Sequence, residues 1–121
     1  MLNLDTHILI HALAGDLLPA EHLLLSSHHW SISAIVRWEL CKLAELGRIE
    51  IDLADPEVKR LLNRIRTWPL SWEVCRESCQ LDVNGDPADQ LIGATSVVHN
   101  VPLVTRDRRL LRSRRIPLAS S

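Results

Sequence analysis

The sequence predicts an α/β domain with a parallel sheet and helices on both sides. Short apolar stretches that alternate with polar residues, as strands do, repeatedly precede stretches with apolar residues at helical spacing. Strand and helix alternate in this way in parallel sheets, because each parallel connection needs a crossover. A length of 121 residues with 46% hydrophobic residues indicates a single domain, residues 1–121.

The N-terminal part of the chain predicts two strands and two helices. Leu2 and Leu4 alternate with polar neighbours as in a short strand, and helical spacing follows over 6–13. The letters AGDLLP interrupt this pattern, and a leucine-rich helix is predicted over 20–26. The alternating letters WSIS at 30–33 predict the second strand.

The middle and C-terminal parts continue the alternation. A serine cap opens a helix that reaches about Leu46 and stops at Gly47, a residue common after helix ends. The clearest helix is predicted over 55–66, where Asp55 is the cap and Pro56 suits the first turn. The remaining predicted elements are a short strand over 68–70, a helix from Ser71 through Cys79, a helix from Asp86 to near Asn100, a strand over 101–105, the short helix RRLLRS and a possible last strand IPLA.

Composition limits the classes of protein to consider. The net charge of −1 provides no overall field that would attract nucleic acid. One segment, RDRRLLRSRR at 106–115, holds six arginines, which suit either phosphate contacts or the solvated face of a terminal helix. No secretory signal or apolar run of about 18 residues is evident, so we expect no membrane insertion.

Cysteines and aromatic residues give further expectations. The three cysteines are odd in number and lack CxxC spacing, which indicates free, mostly buried thiols in a reducing cytoplasm. The chain has four Trp but no Phe or Tyr. We therefore expect an aliphatic core in which the tryptophans are the few large side chains.

Four acidic residues occupy similar places in this pattern. Asp5 and Asp107 each follow a predicted strand, and Asp89 lies in the first turn of a predicted helix. Glu39 falls on the apolar stripe of its helix, where an unpaired carboxylate is costly. Helix capping and the helix dipole are sufficient alternatives for the aspartates, and pairing with Lys42 is the alternative for Glu39.

The carboxyl ends of parallel strands lie close together, so these acids can converge on one pocket. Carboxylates packed together repel one another and need compensation. Mg²⁺ or Mn²⁺ supplies it, because hard cations prefer carboxylate oxygens and water. The chemistry natural to such a site is metal-assisted hydrolysis of a phosphodiester.

Four motifs resemble those of a known family. LDTHILI, SAIVRWELCKLAELGRI, DPADQLIGAT and LVTRD are similar, in order and spacing along the whole chain, to the PIN-domain ribonucleases. Within that family they look most like the VapC-type toxins of bacterial type II toxin–antitoxin modules. Ala88 and Gln90 flank Asp89 where family members commonly carry an aromatic residue and an arginine, a departure that concerns substrate preference and local packing.

The resemblance implies a fold, an activity and partners. It implies a three-layer α/β/α fold with a central parallel sheet of four or five strands. It also implies an endoribonuclease that depends on Mg²⁺ or Mn²⁺, forms a homodimer and is inhibited by a cognate antitoxin. The leucine-rich helices over 6–26 are a candidate antitoxin dock or, equally, part of the core and dimer contact; the leucines concerned are Leu17, Leu18, Leu23, Leu24 and Leu25.

The same resemblance assigns roles to individual residues. Asp5, Asp89 and Asp107 would hold the metal, with Asp86 kept as a helix cap. Glu39 would orient the attacking water or help to deprotonate it. Ser33 and Thr105 lie beside these acids and would either form hydrogen bonds to a carboxylate or serve as ordinary caps. The residues that would contact RNA are Arg106, Arg108, Arg109 and Arg112.

Two alternatives from other classes stay open at this point. A PIN-like nuclease could process RNA outside a toxin module, and only a neighbouring antitoxin gene would separate the two. A catalytically silent PIN-like domain could bind RNA without cleaving it. The intact set of four acids argues against the silent domain, and metal-dependent cleavage distinguishes it.

Overall fold

The structure is a computed structural model that describes residues 1–120. Its strands are separated by pairs of helices, in the order that the sequence predicts. The strands are β1 (Leu2–Leu4), β2 (Trp30–Ser33), β3 (Arg66–Trp68) and β4 (Leu103–Val104). The helices are α1 (Thr6–Ala14), α2 (Pro19–Ser26), α3 (Ala34–Glu45), α4 (Pro56–Arg64), α5 (Trp72–Ser78), α6 (Pro87–His99) and α7 (Arg108–Leu111).

The four strands form one parallel sheet in the order β3-β2-β1-β4. β1 lies between β2 and β4, with Leu2 opposite Trp30 and Asn3 opposite Leu103. All three residues of β1 are buried, as expected for a central strand covered on both faces. The parallel α/β arrangement predicted from the sequence is confirmed.

Three strand predictions differ from the structure. The strand predicted over 101–105 is shorter, because β4 covers only Leu103–Val104. β3 covers Arg66–Trp68 and not 68–70, because Pro69 has no N–H group to donate to a neighbouring strand. The C-terminal IPLA segment contributes an isolated parallel bridge between Leu103 and Leu118 instead of a fifth strand.

Helix starts follow the predicted capping residues. The side chains of Ser33, Asp55, Ser71 and Asp86 each accept a hydrogen bond from a backbone N–H group in the first turn of their helices. α6 ends at Asn100, which adopts the left-handed conformation typical of helix C-termini. These local signals set where each helix leaves the sheet.

The core is aliphatic, but the tryptophans are not its large members. Trp72 is 76% exposed and Trp38 is 58% exposed, while Trp30 and Trp68 are only partly buried. Aliphatic side chains fill the space between sheet and helices on their own, which leaves the indoles at the surface. The fully buried large side chains include Leu4, Ile8, Leu9, Ile32, Ile92, Leu103 and Leu110.

The cysteines are free, as predicted, but they are not mostly buried. Cys41 and Cys79 are exposed and Cys75 is partly buried. In α5 the buried residue is Val74, whereas Cys75 beside it is only partly buried and Cys79, which caps the C-terminus of the helix, is exposed.

No single helix within residues 1–120 is long and apolar enough to cross a membrane. The pair α1 and α2, bent by 94° at the break between them, meets the same length and composition criteria when taken together.

Candidate active site

Asp5 lies between β1 and α1, and both of its carboxylate oxygens are engaged. Oδ1 accepts a hydrogen bond from the Ile8 backbone N–H group at 2.8 Å, so Asp5 caps α1. Oδ2 accepts a hydrogen bond from the Thr105 hydroxyl group. Burial raises the pKa of Asp5, and these hydrogen bonds oppose the rise because they stabilise the carboxylate.

Asp107 occupies the corresponding place after β4. Its Oδ1 accepts hydrogen bonds from the backbone N–H groups of Arg109 at 2.8 Å and Leu110 at 3.2 Å, so it caps α7. The Asp107 N–H group donates to Thr105 Oγ1 at 3.0 Å. Thr105 therefore connects the two acids that follow β1 and β4.

Glu39 lies in α3 and is held by a residue of α1. The Thr6 hydroxyl donates a hydrogen bond to Glu39 Oε1 at 2.5 Å. The alternative partner, Lys42, pairs with Glu45 at 3.0 Å instead. A partly buried Glu39 therefore points toward α1 and not toward the surface cation on its own helix.

Asp89 lies in the first turn of α6 and is partly buried. Burial is the main cause that raises its pKa to about 6, followed by repulsion from the other acids, Asp107, Asp86, Glu39 and Asp5. Within the described residues no group donates a hydrogen bond to its carboxylate.

These acids from four separate elements meet at one cavity of about 380 Å³. The sheet brings the ends of β1 and β4 side by side, while α3 and α6 supply the other walls. The lining residues are Asp5, Thr6, His7, His11, Glu39, Asp86, Asp89, Arg106 and Asp107.

The donor chemistry of this cavity fits a hard divalent cation. Carboxylates dominate its lining, and the pKa of Asp89 is raised mainly by burial and further by repulsion from the other acids, which a cation would offset. The carboxylates are farther apart than the ligands of a bound metal ion would be. Within residues 1–120, no group of three or more His, Cys, Asp or Glu side chains lies close enough together to hold one. A cation would therefore have to draw the carboxylates closer.

The other predicted site residues fall into two groups. The Thr105 hydroxyl donates a hydrogen bond to the Asp5 carboxylate, which is the first of the two roles expected for it, binding a carboxylate or serving as a cap. Ser33 instead caps α3 by accepting from the Ile35 N–H group, and its hydroxyl group contacts none of the four acids. Ser33 is the last residue of β2 and immediately precedes α3, so its hydroxyl oxygen accepts a hydrogen bond from the first turn of that helix.

The predicted arginines differ in their surroundings. Arg106 lines the acidic cavity, where it forms an ion pair with Glu21. Arg109 lines a smaller adjoining pocket beside Asp89. Arg108 and Arg112 are exposed on and after α7.

Sequence reasoning missed the residues that hold the acids and Arg106 in place. Thr6 stands next to Asp5, but nothing in the pattern indicates that it faces Glu39 in another helix. Glu21 and His11, the partners of Arg106, lie in the leucine-rich region, whose sequence pattern points to the leucines and not to these polar residues. The available signal was Glu21, the single acidic residue of the predicted leucine-rich helix over 20–26.

Comparisons with known proteins agree with this architecture. The PIN domain family model matches residues 3–116. Ribonuclease VapC22 of Mycobacterium tuberculosis is 41% identical over 92 residues, which cover 72% of this chain and 68% of that protein.

Solved structures show the same fold at low identity. A chain of a toxin–antitoxin complex from Klebsiella pneumoniae has a TM-score of 0.71 at 21% identity and covers 93% of this chain and 91% of that chain. For VapBC2 from Rickettsia felis bound to a promoter DNA fragment, the TM-score is 0.69 at 20% identity, with 98% of both chains covered. FitAcB from Neisseria gonorrhoeae has a TM-score of 0.67 at 21% identity, with 99% and 97% covered. By family match, relative and fold together, the chain belongs to the PIN-domain family.

Proposed function

We propose that the chain is a metal-dependent endoribonuclease that hydrolyses phosphodiester bonds of RNA, and that it is the toxin of a toxin–antitoxin pair. The observation that carries the proposal is the convergence of carboxylates from β1, β4, α3 and α6 on one cavity. The name of the relative, Ribonuclease VapC22, describes the same activity. The motifs that carry these acids are the ones that resemble VapC-type toxins.

In this proposal Asp5, Asp89 and Asp107 hold Mg²⁺ or Mn²⁺. When bound, such an ion neutralises the clustered carboxylates, acidifies water and stabilises negative charge that develops on the phosphate. Thr105 keeps the Asp5 carboxylate oriented and favours its ionised form. Asp107 keeps Oδ2 available to the cavity, because its helix cap uses only Oδ1.

Glu39 is assigned the proton-transfer role. Thr6 binds Oε1, which leaves Oε2 to orient the attacking water and accept its proton. This restraint matters, because a long glutamate side chain otherwise samples several rotamers and an efficient base needs a fixed direction.

RNA binding is assigned to the arginines that follow β4. Arg106 lies at the cavity, and Arg108, Arg109 and Arg112 continue along α7 and just beyond it. Guanidinium groups bind phosphate oxygens through paired N–H donors, so this segment would hold the backbone on either side of the scissile bond.

The proposal extends to assembly and location. We infer a single domain over 1–121 that acts in the cytoplasm as a homodimer and is inhibited by an antitoxin. One of the structures with the same fold is a toxin–antitoxin complex from Klebsiella pneumoniae, and this likeness supports an antitoxin as the partner. Leu18 and Leu23 are exposed on or beside α2 and are the parts of the leucine-rich dock that remain free for a partner.

The test is cleavage of a pool of structured and single-stranded RNAs with Mg²⁺ or Mn²⁺, and with EDTA. Asp5→Asn is the site variant. Asp55→Asn is its matched control, because Asp55 also caps a helix through its side chain but lies outside the cavity. We expect metal-dependent cleavage by the wild-type chain and by Asp55→Asn, and none by Asp5→Asn or with EDTA.

Other results would change the assignment. Equal cleavage by Asp5→Asn would show that the activity comes from elsewhere. A folded wild-type chain that binds RNA without cutting it would favour the catalytically silent alternative. Cleavage without an adjacent antitoxin gene would favour RNA processing outside a toxin module.

A further inference from the structure

Arg106 is held at the cavity by a carboxylate far away in sequence. Its Nε donates to Glu21 Oε2 at 2.7 Å and its Nη2 donates to Glu21 Oε1 at 2.6 Å, a two-point pairing between planar groups. The Glu21 side chain is 13% exposed and that of Arg106 is 37% exposed, so water screens the pair only partly. The pairing lowers the pKa of Glu21 through the hydrogen bonds from Arg106.

A third contact fixes the guanidinium from another direction. Arg106 Nη1 lies 3.1 Å from His11 Nε2, which serves as the acceptor because the guanidinium is a donor only. The other ring nitrogen, Nδ1, then carries the proton and donates to Asp16 Oδ1 at 2.8 Å. Both His11 and Arg106 line the acidic cavity.

The contacts leave part of the guanidinium unused. Arginine has five N–H donors, and three of them point to Glu21 and His11 in these contacts. The remaining two belong to Nη1 and Nη2, one on each. A planar group with two free N–H donors can bind a phosphate oxygen. Among the residues that line the cavity, Arg106 is the one whose side chain carries a permanent positive charge.

We propose that Glu21 is a positioning residue: its two-point ion pair with Arg106, supported by His11, holds the guanidinium at the cavity so that it binds a backbone phosphate of the RNA. The inference rests on the proposed ribonuclease function and deepens it. It connects α2, which has no residue among the four acids, to substrate binding. Without Glu21, Arg106 would keep its charge but lose its fixed direction, so substrate binding should weaken while the chemical step persists.

The chain contains a matched control pair. Arg115 Nε and Nη2 donate to Glu77 Oε2 and Oε1 at 2.5 and 2.8 Å. The exposures, 44% for Arg115 and 13% for Glu77, are close to those of the first pair. Neither residue lines the acidic cavity. Breaking the Glu77–Arg115 pair should therefore have the same effect on stability as breaking the Glu21–Arg106 pair, but it leaves the proposed contact between Arg106 and phosphate intact.

The experiment compares Glu21→Gln with Glu77→Gln in metal-dependent cleavage of a labelled RNA. We expect Glu21→Gln to raise KM about tenfold with kcat within about threefold of wild type, since one charge-assisted contact contributes about 1.4 kcal/mol or more. Glu77→Gln should leave KM within about twofold of wild type. Both glutamine variants should lower the melting temperature by similar amounts, because each breaks one ion pair of similar exposure. Arg106→Lys, which keeps the charge but lacks the fork, should reproduce the rise in KM.

Binding alone provides a second readout. On an Asp5→Asn background, fluorescence anisotropy with the same RNA should show about tenfold weaker binding for Glu21→Gln and unchanged binding for Glu77→Gln. Unchanged KM and affinity in Glu21→Gln, or equal losses in both glutamine variants, would overturn the inference while leaving the nuclease assignment intact. Absence of cleavage by the wild-type chain would overturn the assignment, and the binding measurement would still decide whether Glu21 positions Arg106.

Discussion

The Thr105 hydroxyl donates a hydrogen bond to Oδ2 of Asp5, a residue that precedes it by 100 positions. The hydroxyl oxygen of Thr105 also accepts a hydrogen bond from the backbone N–H group of Asp107 at 3.0 Å. One side chain at the end of β4 therefore orders two of the proposed metal ligands, and it does so because β1 and β4 are neighbours in the parallel sheet. The acids are positioned by the fold and not only by their own helices.

Replacing Thr105 with Val should weaken metal-dependent activity. The isosteric side chain removes the donor that stabilises the Asp5 carboxylate, so the already raised pKa of Asp5 should rise further. Since a protonated carboxyl is a poor ligand, we expect activity at fixed Mg²⁺ to fall on the order of tenfold, and more at pH 6 than at pH 8. Thr105→Ser keeps the hydroxyl group and should stay near wild type; equal losses in both variants would contradict the prediction.

Asp89→Asn should stabilise the metal-free protein at pH 7. The folded-state pKa of Asp89 is raised from 3.8 to about 6, so the folded protein binds this proton more tightly than the unfolded chain does. Its contribution to stability is therefore present at low pH and is lost as the pH rises from about 4 to about 6. After allowance for solvent screening of a partly exposed group, removing the charge should add about 1–2 kcal/mol to the free energy of unfolding.

Asp82→Asn is the control of opposite sign. The Ser113 hydroxyl and the Arg114 N–H group lower the pKa of Asp82, so its ionised form favours the folded state at neutral pH. We expect Asp82→Asn to lower the melting temperature in EDTA at pH 7, where Asp89→Asn raises it. A loss of stability in Asp89→Asn would show that burial and repulsion do not disfavour the ionised carboxylate of Asp89 in the folded protein.

Divalent cations should stabilise the wild-type chain. A cation bound only by the folded state adds about 1.4 kcal/mol at ten times its dissociation constant. We therefore expect Mg²⁺ or Mn²⁺ to raise the melting temperature of the wild-type protein by several degrees and that of Asp89→Asn by much less. Equal shifts in the two proteins would place the cation elsewhere.

Substitution of the exposed tryptophan Trp72 should cost little stability. Its side chain is 76% exposed, so Trp72→Ala should change the free energy of unfolding by less than about 1 kcal/mol. Ile32→Ala, at a fully buried position of β2, should cost about 2–5 kcal/mol through lost burial and a cavity. Chemical denaturation of both variants checks the comparison, and a costly Trp72→Ala would indicate an interface on this surface.

The sequence was sufficient to predict the order of elements because caps and periodicity are local. Asp55, Ser71 and Asp86 each mark the start of a helix that the structure contains. The exposure of the tryptophans was not predictable in this way. Burial depends on which faces meet in three dimensions, and the indole of Trp72 lies on the outward face of α5.

The candidate site was predictable in part for the same reason. Asp5 directly follows β1 and Asp107 lies shortly after the end of β4, and neighbouring parallel strands bring such positions together without further information. The contact between Thr6 and Glu39 depends on how α1 packs against α3, and the pair of Glu21 with Arg106 joins residues 85 positions apart. No local pattern encodes either contact.

Direct binding of Mn²⁺ tests the central claim that these carboxylates form one metal site. Electron paramagnetic resonance of free Mn²⁺ would be titrated against the wild-type chain, Asp107→Asn and the cap control Asp55→Asn. The account predicts that Asp107→Asn weakens binding at least about tenfold, while Asp55→Asn binds as the wild type does. Undiminished binding by a folded Asp107→Asn would contradict it, because the acid at the end of β4 would then not belong to the site.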